Sequence, residues 1–268
     1  GIERLYRFQA EAISLIERGK NVSIVAGTGV GKTEAFLIPI LKSVMEDPYS
    51  YSVRGIIVYP TKALARDQLK RINSYLTFAF GARACVYDGD TSDKERHAIF
   101  SMPPHILVTN PDMVHVSLQH SAQFRELVSA ARYVVLDDAH VYSGVFGSHV
   151  AWVVRRLKRF LKEPTFVVSS ATLGNPREFA EQLLGEEVEV VKAERTRRGR
   201  IVHALVRPLS SKLSFTLKLL ALFVERGLKT LVFVDSHRTA EILKRAADKA
   251  GQKVGIHRAG LSPRERAR

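Results

Sequence analysis

Cysteine is nearly absent from this sequence of 268 residues, since Cys85 is the only one. A single cysteine excludes an internal disulfide and a zinc site built on cysteine ligands. Cys85 lies in the strand-like run ARACVYDGD, where we expect a small buried apolar residue. Proteins without disulfides are typical of reducing compartments, so we predict a cytoplasmic location.

Long hydrophobic runs are missing as well. No apolar stretch approaches the roughly 20 residues that a helix needs to cross a bilayer. The first residues, GIERLYRFQAEAI, are charged and helix-like, unlike a secretory leader. The sequence therefore predicts no membrane span, and we expect no membrane partner.

Acidic residues are scarce relative to basic ones. Forty-one Lys and Arg face 27 Asp and Glu, which gives a net charge of +14 and a pI near 10.0. Such an excess favours a polyanionic partner, either nucleic acid or an anionic membrane surface. High solubility alone is the alternative explanation of the charge.

Short β-branched runs alternate with longer helical patterns, which is typical of an α/β fold with a mostly parallel sheet flanked by helices. Several runs are apolar throughout, as expected for strands covered on both faces. The predicted strands are Asn21–Gly27, Arg54–Pro60, Ala82–Gly89, His105–Asn110, Tyr133–Asp138 and Thr165–Ala171. The predicted helices are ERLYRFQAEAISLIERG, GKTEAFLIPILKSVMED, TKALARDQLKRINSYLTF and SHVAWVVRRLKRFLKE.

The alternation pauses at the charged segment VKAERTRRGR, which predicts a domain boundary between residues 1–194 and 195–268. Beyond it, the runs RIVHALVRP, KTLVFVDS and KVGIHRAG are predicted strands, separated by two helical patterns. Three strands and two helices are too few for an α/β domain of usual size, so we expect the second domain to be truncated.

A glycine-rich turn, AGTGVGKT, follows the first predicted strand and precedes a helix. Its glycines let backbone N–H groups turn toward a phosphate, and the helix N-terminus adds the positive end of its dipole. Lys32 can reach the β- and γ-phosphates, and the Thr33 hydroxyl can ligate Mg²⁺. This P-loop pattern predicts an ATP and Mg²⁺ site formed by Ala26, Gly27, Thr28, Gly29, Val30, Gly31, Lys32 and Thr33.

Two adjacent carboxylates, Asp137 and Asp138, end the predicted strand YVVLDD. In a P-loop ATPase, a carboxylate at the end of a neighbouring strand holds Mg²⁺, commonly through water. A second acidic group orients and deprotonates the attacking water. We therefore assign Asp137 to the metal and Asp138 to the water, with capping of the next turn as the structural alternative.

Several motifs resemble, in their order and spacing, those of the superfamily 2 DEAD/DEAH-box-like helicases. They are AGTGVGKT, YPTKALARDQ, VTNPDMV, DDAH, SSAT and LVFVDSHRTAE, and they extend over nearly the whole chain. The stretches HVYSGVFGSHVAWVVRRLKR and IHRAGLSPRERAR look most like the MrfA-type DNA-repair helicases. The resemblance implies a complete RecA-like P-loop domain followed by a second, truncated RecA-like domain.

The resemblance also implies roles for single residues. Gln9 matches the glutamine that reads adenine, although a surface position on an amphipathic helix is the alternative. His140 matches the loop that couples ATP state to strand binding, together with Ser170, Ala171 and Thr172. The matches to nucleic-acid contact motifs are Pro60, Thr61, Lys62, Ala63, Thr109, Asn110, Pro111 and Asp112, with helix capping as a compatible alternative.

Asp138 departs from the family, which usually has Glu at this position. Its side chain is one methylene shorter, which withdraws the carboxylate by on the order of 1 Å. Three explanations stay open. Either the backbone is adjusted to the shorter side chain, or the substitution traps one nucleotide-bound state of the protein, or the carboxylate acts through an extra water.

The helical pattern SHVAWVVRRLKRFLKE carries both apolar and basic residues. Val150, Val153, Val154, Leu157 and Leu161 lie at core spacing. We interpret Trp152 as a packing residue rather than a base platform. We also expect a solvated face rather than a DNA site from the cations Arg155, Arg156, Lys158, Arg159 and Lys162.

These features predict an ATP-hydrolysing helicase that moves along nucleic acid and unwinds DNA in repair or recombination. An RNA helicase and a non-catalytic nucleic-acid-binding module with a relic P-loop are the alternatives. The resemblance implies a monomer, associated with the nucleoid, that moves 3′ to 5′ on single-stranded DNA rather than RNA. No segment matches the family's late arginine finger, which supplies about 10³–10⁵ in rate, so we expect this chain to hydrolyse ATP weakly.

Overall fold

The computed structural model describes residues 4–47, 49–77, 81–194 and 202–257. Contacts divide the chain into two units, Gly1–Arg197 and Arg198–Arg268. The division falls within the charged segment VKAERTRRGR.

The first unit is built on a seven-stranded sheet with the order β3-β4-β2-β5-β6-β1-β7. All neighbouring strands in it run parallel. The inner strands β2, β4, β5 and β6 are buried along their whole length, as their unbroken apolar runs predicted. The strands are β1 (Val22–Val25), β2 (Gly55–Val58), β3 (Ala84–Val86), β4 (Ile106–Thr109), β5 (Tyr133–Leu136), β6 (Thr165–Ser170) and β7 (Glu189–Lys192).

Helices cover both faces of this sheet and bury two separate cores. One core includes Phe8, Phe36 and Ile72 and lies under α1 (Arg7–Glu17), α2 (Lys32–Glu46) and α3 (Lys62–Leu76). The other includes Phe124, Val154 and Leu183. It lies under α4 (Asp93–Ser101), α5 (Pro111–His120), α6 (Ala122–Ser129), α7 (Gly144–Lys158) and α8 (Pro176–Leu184). The sheet is therefore a central layer between two helical layers, as the sequence predicted.

Edge strand β7 was not predicted from the sequence. Only Val191 is buried in it, and its ends, Glu189 and Lys192, are charged and exposed. The inner strands were predicted from their apolar runs. An edge strand with only one buried residue has no such run, so the same criterion does not detect it. Its ladder with β1 becomes apparent only once the sheet is assembled.

The second unit contains α9 (Lys212–Glu225) and α10 (His237–Lys249) among its described residues. The three strands predicted there are wrong for this part of the chain, since residues 202–257 contain no strand. Leu205, Leu231 and Phe233 are 104%, 78% and 88% exposed. An extended segment becomes a strand only when a neighbour completes its hydrogen-bond ladder, and these segments have no such neighbour within residues 202–257.

None of the helices in the described ranges is both long and apolar enough to cross a membrane.

Candidate functional site

The predicted site residues of the first unit converge because the strands that precede them run parallel. The loops after β1, β2, β4, β5 and β6 leave the sheet at its carboxyl edge, where open α/β sheets bind ligands. Strand β6 lies between β1 and β5, so the P-loop and the two aspartates are not on adjacent strands. The SSAT segment that ends β6 therefore lies between them in the sheet order.

The P-loop turns tightly between β1 and α2. Gly29 and Gly31 have φ angles of 77° and 94°, a left-handed conformation that glycine adopts without steric cost. The Lys32 ammonium folds back across the turn and donates to the carbonyls of Ala26 at 2.9 Å and Gly27 at 3.2 Å. Lys32 begins α2, and Thr33 is buried in its first turn. The loop thus places a cation and a helix N-terminus at one concave turn, as a phosphate site requires.

Gln9, on α1, holds the P-loop turn by hydrogen bonds. Its Nε2 donates to the Gly31 carbonyl at 2.9 Å, and its Oε1 accepts from the Tyr6 N–H at 2.8 Å. The φ angle favours glycine at residue 31, and a Cβ there would lie 2.3 Å from the Gln9 amide nitrogen and displace that amide. Gln9 is 3% exposed, and the alternative of a surface position is wrong. Phe8 is buried in the core, whereas Tyr6 is exposed.

The two aspartates and Lys32 share one electrostatic environment. Burial and the Asp138 charge raise the pKa of Asp137, while the Asp138 N–H at 2.9 Å and the Lys32 charge oppose that rise. Burial lowers the pKa of Lys32, and the charges of Asp137 and Asp138 oppose that fall. The loops after β1 and β5 leave the same edge of the parallel sheet, so the charges of Lys32 and the two aspartates act on one another.

Asp138 adopts a left-handed backbone conformation, with φ 50° and ψ 40°, at the start of a 3₁₀ turn (Ala139–Val141). Among residues with a side chain, Asn and Asp tolerate this conformation best, while longer residues carry a cost of about 1–2 kcal/mol. Asp138 therefore fits this turn with less backbone strain than Glu would.

We predict that Asp138→Glu raises the rate of ATP turnover, because the longer side chain restores reach toward the attacking water. The same change should lower the free energy of unfolding by about 1 kcal/mol, since Glu fits the left-handed conformation poorly. Steady-state phosphate release and thermal unfolding measure the two effects. Asp138→Asn is the control, because it keeps the backbone preference and removes the charge. Unchanged or lower turnover with Glu would remove the role assigned to Asp138.

The predicted coupling residues contact one another beside the turn that contains Asp137 and Asp138. His140 Nδ1 lies 3.4 Å from the Ser170 hydroxyl, which also donates to the Thr172 carbonyl at 3.2 Å. Ser170 is fully buried, Ala171 is partly buried, and both His140 and Thr172 are exposed. The turn after β5 and the end of β6 are therefore in contact through these side chains.

Several of the predicted nucleic-acid contact residues cap helices. Thr61 Oγ1 accepts from the Leu64 N–H at the start of α3, and Asn110 Oδ1 accepts from the Met113 N–H at the start of α5. Thr109 is buried, and its hydroxyl donates to the Tyr87 carbonyl at 2.7 Å, so it supports the loop rather than facing solvent. The exposed members of the set are Thr61, Lys62, Ala63 and Asp112, whereas Pro60 is half-buried and Pro111 is buried.

Lys62 is the exposed cation of this group, and it forms an ion pair with Asp90 at 2.8 Å. Both side chains are about half exposed, so water and salt screen the pair. A phosphate can therefore compete with Asp90 for the Lys62 ammonium at little cost.

A polar cluster beside the P-loop, centred on the buried Glu34, was missed in the sequence. Glu34, next to Thr33, accepts hydrogen bonds from the Arg71 guanidinium at 2.6 Å and from the Tyr75 hydroxyl. Burial acts to raise the pKa of Glu34, but the bonds from Tyr75 and Arg71 together hold it below its ordinary value. The cluster ties the first turn of α2 to α3. The only sequence signal is an acidic residue inside the apolar run TEAFLIPIL.

The residues present fit a magnesium–nucleotide complex. The described residues contain no cluster of three or more His, Cys, Asp or Glu side chains that could cage a metal. Mg²⁺ with a nucleotide does not need such a cage, since one or two protein ligands, phosphates and water complete its shell. Thr33 and the buried Asp137 are suited to provide these protein ligands. Asp137 is only 6% exposed, and a bound cation would offset the cost of burying its charge.

The chain is similar to known proteins in sequence and in fold. The family described as DEAD/DEAH box helicase matches residues 6–179. The Bacillus subtilis (strain 168) protein named uncharacterized ATP-dependent helicase YprA is 34% identical, over 99% of this chain and 38% of its own length. Crystal structures of the DUF1998 helicase MrfA bound to DNA, and to DNA and AMPPNP, are 33% and 32% identical with TM-scores of 0.85 and 0.84. Each covers 100% of this chain and 40% of the MrfA chain.

The chain thus spans about two fifths of the length of these relatives. The family match runs from the Tyr6–Gln9 segment through the P-loop and the acidic turn to α8, so it includes every part of the site described above. With its RecA-like helicase fold, this chain belongs to the DEAD/DEAH box helicase family.

Proposed function

We propose that this protein is the ATP-hydrolysing core of a superfamily 2 motor that moves along single-stranded DNA and unwinds duplex DNA. The observation that carries the proposal is the placement of Lys32 on the P-loop turn and of the buried Asp137 on the loop after β5, at the same carboxyl edge of the parallel sheet. A P-loop that no longer bound nucleotide would not need a buried carboxylate near its lysine. The cost of burying Asp137 is explained if the site takes up a cation.

Each side chain of the site has a role in this proposal. The P-loop N–H groups and Lys32 bind the phosphates, and Thr33 and Asp137 would hold Mg²⁺. When bound, Mg²⁺ neutralises charge that develops on the phosphate oxygens. Asp138 orients the attacking water and accepts its proton. Gln9 holds the Gly31 carbonyl and retains one N–H for the adenine ring.

Nucleic acid would lie along the loops that follow β2 and β4. Helix N-termini at Lys62 and Pro111 point backbone N–H groups toward this edge, where they bind phosphates without reading bases. The contact of His140 with Ser170 joins the hydrolytic turn to the end of β6. A change in the nucleotide can thus alter the position of the SSAT segment.

DNA is favoured over RNA by the relatives, since MrfA has been crystallised bound to DNA. The net charge of +14 supports backbone contacts that ignore base identity, as a translocating motor needs. By the same resemblance we propose a monomer.

Competition binding tests the proposal. A labelled single-stranded DNA is displaced by unlabelled DNA or RNA of matched sequence and length, at fixed salt, with and without AMPPNP and Mg²⁺. We expect DNA to compete more strongly than RNA, and the nucleotide to change the affinity for DNA. Equal or stronger competition by RNA would favour the RNA helicase alternative. An affinity that never responds to nucleotide would favour a non-catalytic binding module.

A further inference from the structure

Helix α7 carries a continuous outward stripe that the site described above does not use. Its inner face is buried through Val150, Val153, Val154 and Leu157, as the sequence predicted. Its outer face presents five residues at alternating spacings of four and three, which lie above one another on a helix. These residues, here called the α7 stripe, are Val145, His149, Trp152, Arg156 and Arg159.

Trp152 is the central residue of the α7 stripe. The expectation that it packs into the core is wrong, because 63% of its surface is exposed. The Arg155 guanidinium lies 5.6 Å from the ring centre. Arg155 in turn donates to the carbonyls of Ala151 at 2.9 Å and Gln182 at 3.2 Å. The indole is therefore held from one side by an anchored cation while most of its surface faces solvent.

The charges on α7 itself and on the residues just beside it in the sequence have one sign. Residues 139–162 contain five Lys and Arg and two His, and neither Asp nor Glu. Two of the cations turn inward, since Arg155 bonds to α8 carbonyls and Lys158 pairs with Glu186. Solvated helix faces normally intersperse both signs and carry few exposed large aromatics. The single sign and the exposed indole together distinguish this face from an ordinary solvated one.

The last two residues of the stripe, Arg156 and Arg159, pair with no carboxylate among the described residues. Arg156 lies 2.7 Å from His115 Nδ1 on α5, and no carboxylate is paired with it. The side chain of Arg159 makes no ion pair or hydrogen bond within the part of the chain that the structure describes. Their charges are therefore free to bind a polyanion.

We propose that the α7 stripe is a second contact surface for nucleic acid, with Trp152 stacked on a base and Arg156 and Arg159 on phosphates. Stacking of a base on an aromatic side chain contributes about 1–3 kcal/mol and does not depend on sequence, which suits a motor. The stripe rises about 21 Å from Val145 to Arg159, enough for about six stacked nucleotides. The inference rests on the proposed function only in taking nucleic acid as the ligand.

The test uses the fact that Trp152 is the only tryptophan in the chain. Its intrinsic emission is followed while oligo(dT) of 20 nucleotides is added, and anisotropy of a labelled copy of the same oligonucleotide records binding in parallel. We expect the emission to be quenched along the same binding curve and restored by salt. Inorganic polyphosphate of equal charge should compete for the cations but quench little, because it has no bases.

Variants separate stacking from charge. Trp152→Ala should weaken binding of oligo(dT) by about 5- to 150-fold, the equivalent of 1–3 kcal/mol, whereas Trp152→Phe should retain most of the affinity. Arg156→Gln and Arg159→Gln should each reduce the slope of log affinity against log salt by about 0.7. Lys32→Ala should still show quenching, since the stripe lies outside the nucleotide site.

Three results would overturn the inference. Unchanged emission while anisotropy shows saturated binding would remove the stripe as a contact and leave the proposed function standing. Equal quenching by polyphosphate would exclude stacking. An emission change that depends on protein concentration without DNA would assign the stripe to a protein contact. A fourth result, the absence of any DNA binding by anisotropy, would count against both the inference and the proposed function.

Discussion

Lys32→Ala is expected to lower ATP turnover by at least about 10²-fold and to abolish measurable nucleotide binding. The ammonium is the cation of the P-loop, and it already lies within 3.2 Å of two loop carbonyls that position it. Loss of a preorganised group that stabilises charge in a transition state typically costs about 10²–10³ in rate. Binding of a fluorescent ATP analogue and steady-state phosphate release measure the two effects.

The controls for Lys32→Ala test whether its effect is local. Lys42→Ala removes a cation from the same helix, where Lys42 is 61% exposed and pairs with Glu17, and should leave turnover unchanged. Single-stranded DNA binding should survive in Lys32→Ala, because the loops after β2 and β4 do not depend on the ammonium. Normal nucleotide affinity in Lys32→Ala would contradict the assignment of AGTGVGKT as the phosphate site.

Much of the site could be predicted because its chemistry is local in sequence. The P-loop, the paired aspartates and the SSAT segment are short contiguous motifs, and a parallel sheet brings such loops to one edge whatever the strand order. The sheet order itself, with β6 between β1 and β5, was not predicted, since apolar runs show that strands exist but not which of them pair.

What the sequence did not show depends on contacts between distant residues. Glu34 bonds to Arg71 and Tyr75, which lie 37 and 41 positions away, so no periodicity marks the cluster. Gln9 and Gly31 are 22 positions apart, and only the folded chain shows that the glutamine is buried against the loop. Trp152 was misjudged for a related reason. A large aromatic side chain on a helix is expected to be buried. The buried face of α7 consists mainly of valines, however, and Trp152 lies on the other face.

The cluster around Glu34 also adds a physical link that the motifs alone do not contain. Arg71 bonds to Glu34 and lowers the pKa of Lys32 by its charge, so it contributes to the electrostatics of the P-loop from α3. The same helix begins at Thr61 and Lys62, in the first nucleic-acid contact motif. The Glu34–Arg71 contact thus links the helix that begins at the nucleotide turn to the helix that begins at the predicted strand contact.

Asp137→Asn should have two effects of opposite sign, a loss of ATP turnover by about 10²-fold or more and a gain in stability. The carboxyl group is 6% exposed and burial raises its pKa, so at neutral pH it costs the folded state free energy that a neutral amide would not. The amide keeps the acceptor for the Asp138 N–H and removes that cost. A gain of about 1 kcal/mol would raise the melting temperature by roughly 2–4 °C for a domain of this size.

The pH dependence of unfolding separates this cause from a general improvement in packing. A carboxyl group whose pKa is higher in the folded state binds its proton more tightly when folded, so stability falls as pH rises from the ordinary value of 3.8 through the raised value. Asp137→Asn should lack that fall, and its advantage should grow across this window and level off above it. Asp67→Asn, at an exposed position on α3, should show no such advantage. Mg²⁺ should reverse the ranking, because with nucleotide it stabilises only the chain that retains the carboxylate. A melting temperature for Asp137→Asn that is equal to or below that of the original chain across this window would mean that Asp137 is satisfied without a cation, and the metal role would have to be given up.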